Sequence, residues 1–216
     1  AGSALRSFEL LREYGLLSHL FPDLAQVLTQ DQDPTVEQVV RLGLIGTDDR
    51  IKADKSVTPA FLFAVLLWPS VRKQAKQFEA LSGSPIQALQ DAWDTVAARA
   101  QRRVALPKRF SLSAREVVSL QPRFDARGGR RSLRLLDHPR FRAAYDFMLL
   151  RAAAGELDQA AADWWTEIQV MSPEARVAQV EVAGQSQGEP SDAPVRKRRR
   201  RSRSRKKRFS PPQGAV

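Results

Sequence analysis

Apolar residues recur along this chain at spacings of three and four, and no stretch sustains the apolar–polar alternation of a half-buried strand. The pattern predicts helices throughout. Leu5, Phe8 and Leu11 share one helical face, and Gly15 is placed to stop that helix. Asp33-Pro34 reads as an N-cap followed by proline at the first helical position, with Val36, Val39, Val40 and Gly43 as the buried stripe behind it. Thr58-Pro59 repeats the start signal. Ala60 to Trp68 is then apolar all round, which predicts the central helix of a bundle. Ser84-Pro85 opens another helix, with Ile86, Leu89, Trp93 and Val96 on one side.

Charge density changes at Leu106-Pro107, and a subdomain boundary is expected there. Beyond it, helices are predicted at about 113–124, 130–136, 139–154 and 157–169. The helix after Pro139 carries the clearest stripe: Phe141, Ala144, Tyr145, Met148, Leu149 and Ala152, with Gly155 to end it. Such a stripe is core rather than a cofactor box. From about Gln179 the apolar period fades. Gly184 to Pro194 reads as a linker, and Arg196 to Arg208 is a cationic run closed by Ser210-Pro211-Pro212. Self-repulsion with almost no apolar area to bury predicts disorder for that run. The expected fold is therefore all-α: a helical part over 1–106, a basic helical part over 107–178, and a disordered linker and arginine-rich tail over 179–216. No internal repeat is visible.

Composition narrows the picture. A chain of 216 residues with 43% hydrophobic content can bury a sizeable core. With no cysteine, disulfides, iron–sulfur clusters and thiolate zinc sites are excluded, which suits a cytoplasmic location. The longest apolar run, Pro59 to Pro69, falls short of the ~20 residues of a membrane span, and no signal peptide is evident. The chain begins Ala1-Gly2-Ser3 and enters a helical pattern at once. It is expected to be a piece of a longer protein, with a trimmed initiator methionine as the alternative.

Net charge is +11, and its placement matters more than its size. Residues 1–98 carry nine basic and twelve acidic residues, 99–151 fourteen and four, 152–195 one and eight, and 196–216 eleven and none. Two cationic regions are thus separated by an acidic segment.

Groups able to carry catalysis are sparse along the chain. Of the two histidines, His138 sits at a helix start, where a capping or turn role is expected, and His19 is expected to pack at a helix end. No H-x-x-x-H spacing and no phosphate-cradling Gly-x-x-x-x-Gly-Lys loop occurs. Asp31-x-Asp33 and Asp48-Asp49 are the tight carboxylate clusters, but Asp33 is better used as an N-cap, and a third metal-holding carboxylate is missing nearby. No catalytic residue, metal ligand or cofactor is assigned to this chain.

The positive signal is arginine. Lys108 and Arg109 follow Pro107. Arg123, Arg127, Arg130, Arg131 and Arg134 crowd one short stretch, and Arg140 and Arg142 flank the next helix start. Gly128-Gly129 lies among them, either as a turn that presents arginines or as a plain loop. The planar guanidinium donates paired hydrogen bonds to phosphate and stacks on unpaired bases, so the arrangement points to RNA. A merely solvated charged face is the competing reading. The tail adds Arg196, Lys197, Arg198, Arg199, Arg200, Arg201, Arg203, Arg205, Lys206, Lys207 and Arg208. Such a run can bind nucleic acid or anionic lipid, or serve as a nuclear address; beside an arginine-rich folded segment, nucleic acid is favoured. Its contribution is electrostatic affinity without sequence reading.

Several strings resemble one family. Pro107-Lys108-Arg109, the run from Arg134 through Asp137-His138-Pro139-Arg140-Phe141-Arg142-Ala143-Ala144-Tyr145-Asp146, Asp163-Trp164-Trp165, and Val57-Thr58-Pro59-Ala60-Phe61-Leu62-Phe63-Ala64 look like the C-terminal region of the bacterial poly(A) polymerases, relatives of the CCA-adding enzymes. The resemblance implies the end of a helical neck, a body and a leg, without the nucleotidyltransferase head that holds the glycine-serine motif and the Mg²⁺-binding carboxylates. It implies a parent enzyme that adds AMP from ATP to RNA 3′ ends and so promotes RNA decay. Mg²⁺ and ATP are expected in the head alone. The expected partners are single-stranded RNA 3′ ends and RNA-decay proteins, with weak contact of the tail to anionic membranes as a further option. The C-terminal part of a CCA-adding enzyme and a free-standing, non-enzymatic RNA-binding helical protein remain the alternatives.

Overall fold

The structure, a computed structural model, describes residues 2–186. The tail residues Arg196 to Arg208 lie outside the described residues. Among those described there are eleven α-helices, one 3₁₀ turn and no strand, so the all-α expectation holds. The order is α1 (Ala4–Glu13), α2 (Leu17–Leu20), α3 (Pro22–Gln30), α4 (Pro34–Lys52), α5 (Pro59–Ser82), α6 (Pro85–Gln101), α7 (Lys108–Ser119), the 3₁₀ turn (Gln121–Phe124), α8 (Gly129–Leu136), α9 (Phe141–Ala153), α10 (Gln159–Val170) and α11 (Pro173–Ser186).

Local chemistry explains most boundaries. Helices α3, α4, α5, α6 and α11 all begin on proline, whose fixed φ suits the first helical position and whose missing N–H is not needed there. Asp33 caps α4 by accepting from the backbone N–H of Thr35 at 3.0 Å, and Ser84 caps α6 through Gln87 at 3.4 Å. Helix α1 has no capping side chain of its own. The buried carboxylate of Asp48, on α4, accepts from the N–H groups of Ala4 and Leu5 at 2.6 and 3.1 Å instead. One of the tight carboxylate clusters is thereby a cap at the positive end of a helix.

Helix α5 is the centre of the bundle, packed against α3, α4, α6, α7 and α9. It passes straight through Pro69 and ends only at Ser82, where Gly83 takes the left-handed conformation with φ 65°. The proline removes one helix hydrogen bond, and the burial of Leu67, Trp68 and Val71 around it offsets that loss. Where α4 crosses α5, Gly43 is required: a Cβ there would fall 2.6 Å from a methyl of Val65. A second cluster, Phe8, Leu17, Leu24, Val40 and Leu44, holds α1–α3 onto α4.

Three readings of local structure change. The basic helix expected from about 113 begins at Lys108 and ends at Ser119, and Gln121–Phe124 is a 3₁₀ turn. His19 is at a helix end, as expected, but exposed rather than packed. The apolar period does not stop at Gln179: α11 continues to Ser186, Val180 is buried at 2% exposure, and Gly184, expected to open a linker, is helical. A sparse stripe of small residues hid that helix from a period count. The loop at Leu106-Pro107 separates α6 from α7, and one continuous core runs across it from Val39 to Val180.

Candidate nucleic-acid interface

Much of the positive charge of residues 99–151 is spent on holding the fold. Arg99 binds Asp23 at 2.6 Å, Arg115 forks onto Asp94 with both distances 2.9 Å, and Arg151 binds Glu156 at 2.6 Å. Two of those carboxylates come from the acidic first half, so the charge asymmetry along the sequence is partly cancelled by packing. Arg140 and Arg142 are also paired, with Glu116 at 2.7 Å and Asp146 at 3.1 Å. The Arg142 side chain is 76% exposed, and a pair so open to water contributes little and is easily exchanged.

The remaining cations fall into distinct places. Arg130, Arg131 and Arg134 share the outer face of α8 and are exposed, while Ser132 and Leu135 are buried on its inner face. Arg123 is exposed in the 3₁₀ turn that packs against α8. Among the described residues, Arg123, Arg130, Arg131 and Arg134 make no ion pair, nor do the exposed Arg102, Arg103, Lys108 and Arg109, so the α8 group carries part of the uncompensated charge. Arg127, which precedes α8, is half-buried. Lys108 and Arg109 are exposed at the opposite end of α7, roughly 18 Å away along a twelve-residue helix. Arg109 lies over the ring of its neighbour Phe110, 4.7 Å from the centroid. Arg140 and Arg142 stand at the start of α9, beside a cleft that also contains Arg50.

Two glycines explain how α8 is held. The hydroxyl of Ser132 donates to the carbonyls of Ala126 and Gly128 at 3.0 and 3.1 Å, which fixes the turn ahead of the helix. A Cβ on Gly128 would lie 2.4 Å from the Cα of Gly184. Helix α11 therefore passes against the start of α8, backbone to backbone. Its last described residue, Ser186, is two positions further on, and Arg196 is ten positions beyond that. The sequence offered Gly128-Gly129 as a turn that presents arginines; it gave no sign that Gly184 would pack there.

His138 plays the turn role expected of it, its Nδ1 accepting from the N–H of Arg140 at 3.1 Å. Among the described residues, no three His, Cys, Asp or Glu side chains converge so as to hold a metal ion, and no helix is long and apolar enough to cross a membrane.

Comparison with known proteins adds to this geometry. Residues 82–207 match the family described as the polymerase A arginine-rich C-terminus. The chain is 37% identical over 177 residues to poly(A) polymerase I of Salmonella typhi and 38% identical over 177 residues to that of Escherichia coli O157:H7, in each case over 80% of this chain and 38% of the relative. It is 33% identical over 181 residues to poly(A) polymerase I of Haemophilus influenzae, over 82% of this chain and 39% of the relative. The chain thus spans about two fifths of the length of these relatives.

Proposed function

This chain belongs to the polymerase A arginine-rich C-terminus family, the C-terminal part of bacterial poly(A) polymerases, and on that premise we propose that it grips and orients RNA for 3′ adenylation carried out elsewhere in such an enzyme. The observation that carries the reading is the outer face of α8, where Arg130, Arg131 and Arg134 stand exposed without internal partners beside the end of α11. Arginines on a short, pinned helix can set the angle of a strand, because their backbone does not move with the ligand. The tail, Arg196 to Arg208, supplies capture: each phosphate it neutralises releases a counterion and raises affinity without choosing sequence.

In this reading the ligand is a single-stranded RNA 3′ end, and the cellular setting is cytoplasmic RNA decay, with decay proteins as further partners. ATP and Mg²⁺ belong to another part of the polymerase. The carboxylates here do not suit them: Asp48 caps α1, while Asp33 caps α4 and is engaged by Arg72. No step of AMP transfer is therefore assigned to these residues.

The test uses the purified 216-residue chain with ATP, Mg²⁺ and an RNA primer. The expected result is that the chain binds the primer and leaves its length unchanged. Template-free extension by the chain alone, or failure to bind single-stranded RNA at low salt, overturns the proposal.

A further inference from the structure

A cleft of about 600 Å³ lies between α4, the turn that follows it, and α9. Its size is that of ordinary small-ligand sites. Phe61 and Leu149, both half-buried, give it an apolar lining, and the exposed guanidinium groups of Arg50, Arg140 and Arg142 stand along it. Arg50 is anchored by two hydrogen bonds from Nε and Nη2 to the carbonyl of Ser56, at 3.3 and 3.1 Å. The Phe61 ring is held by an edge-on contact with Phe147, centroids 6.0 Å apart. One carboxylate, Asp146, lines the same cleft and pairs with Arg142.

Gly46 is the second, independent observation. Glycine inside a helix is destabilising relative to alanine, so it normally has a packing reason. Gly43, one turn earlier, has one in Val65. Gly46 has none: a Cβ built there meets no atom within 4 Å. What its missing side chain leaves open is the cleft.

We propose that this cleft is a nucleotide subsite, which takes one unstacked base of the RNA against Phe61 while the adjoining phosphate meets the guanidiniums of Arg50, Arg140 and Arg142. An aromatic lining beside guanidinium groups is what an unpaired nucleotide needs, since its base stacks and its phosphate takes paired hydrogen bonds. An acyl chain or an apolar peptide would use the lining alone, whereas a phosphate also meets Arg50, Arg140 and Arg142, the last two held only by exposed pairs with Glu116 and Asp146 that exchange easily. The subsite rests on the RNA-holding reading above and adds base contact to it.

The experiment compares the 216-residue chain with its Gly46→Leu variant, which fills the cleft from an exposed helix position. Binding of a short fluorescent oligo(A) and of an abasic oligomer of the same length is measured by anisotropy, with thermal unfolding as a control. Gly46→Leu is expected to weaken oligo(A) binding about tenfold, the fold-change that removal of one base–aromatic stack produces, to leave abasic binding unchanged, and not to lower the melting temperature. Equal oligo(A) binding by both proteins, or equal weakening for the abasic oligomer, overturns the subsite. If oligo(A) binding is equal and Gly46→Leu instead loses a fluorescent fatty acid that the parent binds, the cleft is an acyl site and the proposal is wrong. If the parent binds no RNA, the RNA-holding reading fails along with it; if the parent binds and only Arg130, Arg131 and Arg134 changed to Ala reduces binding, that reading stands and the subsite falls. Should Gly46→Leu fail to fold, Phe61→Leu carries the same binding expectations, because it keeps most of the apolar volume and removes the ring.

Discussion

The indole N–H of Trp68 points at the carboxylate of Glu156 and donates to both of its oxygens, 3.0 Å from each. The Glu156 side chain is 2% exposed, and two guanidiniums meet it there, Arg72 at 2.7 Å and Arg151 at 2.6 Å. Arg151 also lies over the Trp68 ring, 4.5 Å from the centroid, and donates to Gln121 at 3.1 Å. Gln121 in turn donates to the carbonyls of Val117 and Ala144. One polar network therefore links α5, α7, α9 and the 3₁₀ turn that positions α8. Burial pulls the Arg151 guanidinium below its usual pKa, against the opposing charge of Glu156. Burial works the same way on Arg72, but Glu156 and Asp33 outweigh it, and its pKa lies above the usual value.

Removing one member of such a network should cost more than removing an exposed ion pair. Glu156→Gln keeps the shape and deletes the buried charge that two half-buried guanidiniums share, and it is expected to destabilise the fold by about 3 kcal/mol. Arg142→Ala, which breaks an exposed pair, should change stability by less than about 0.5 kcal/mol. Urea unfolding followed by tryptophan fluorescence measures both. Equal midpoints for the two variants would show that the buried network is energetically idle.

Asp33 gives the network a pH dependence. The hydroxyl of Thr35, then Arg72 and the Thr35 backbone N–H, bond its carboxylate and lower its pKa from 3.8 to about 2. A carboxylate with a lowered folded-state pKa adds stability above its unfolded pKa, and that stability is lost as pH falls through the folded value. Stability of the parent should thus decline between pH 3.8 and about 2. Asp33→Asn should be less stable at neutral pH and decline less over that window. Parallel pH profiles of the urea midpoint for the two proteins would contradict this assignment.

The two close-packed and open glycines predict opposite signs. Gly128→Ala drives a Cβ into the backbone of Gly184 and is expected to cost about 1–3 kcal/mol and to loosen α11 in hydrogen exchange. Gly46→Ala meets nothing and gains helix propensity, so it should stabilise by roughly 0.5–1 kcal/mol. A stabilising Gly128→Ala would mean that α11 does not seat on α8.

The sequence revealed what is local. The proline starts at Pro34, Pro59 and Pro85, the Asp33 and Ser84 caps, and the stripes of α4, α6 and α9 are all contained within one or two turns and are readable from spacing, whereas the starts at Pro22 and Pro173 were not read. It did not reveal which arginines are spent. Arg99 and Arg115 look like their neighbours in sequence, and their partners Asp23 and Asp94 are identified only once α3 and α7 are packed on α6. Arg50 belongs with Arg140 and Arg142 for the same reason: the packing of α4 on α9, not sequence proximity, brings them to one cleft. Phe147, at 0% exposure, falls outside the predicted α9 stripe because that helix is buried on two faces, one toward α5 and one toward α10.

The division of labour between α8 and the tail should be visible in the whole polymerase. Changing Arg130, Arg131 and Arg134 together to Ala is expected to shorten the tails made per binding event while the tail residues stay intact. Each charge-assisted hydrogen bond to phosphate adds roughly 1.5–3 kcal/mol when partly desolvated, so removing even one lowers processivity severalfold. A primer-extension ladder under single-hit conditions reads this out. A ladder indistinguishable from the parent's would reduce the α8 face to solvated charge.

The most direct test of the central claim, that the α8 face holds RNA together with the tail, is the salt dependence of single-stranded RNA binding. Three proteins are titrated at several salt concentrations: the parent, the Arg130, Arg131 and Arg134 triple-alanine variant, and a chain lacking 196–216. Each phosphate that the protein no longer neutralises should reduce the log–log slope by about 0.7. The triple variant is predicted to bind more weakly than the parent at every salt concentration, with a slope shallower by up to about 2, and the tail deletion to flatten the slope further. A triple variant whose titrations superimpose on those of the parent, with all the salt dependence removed by deleting the tail, would contradict the claim.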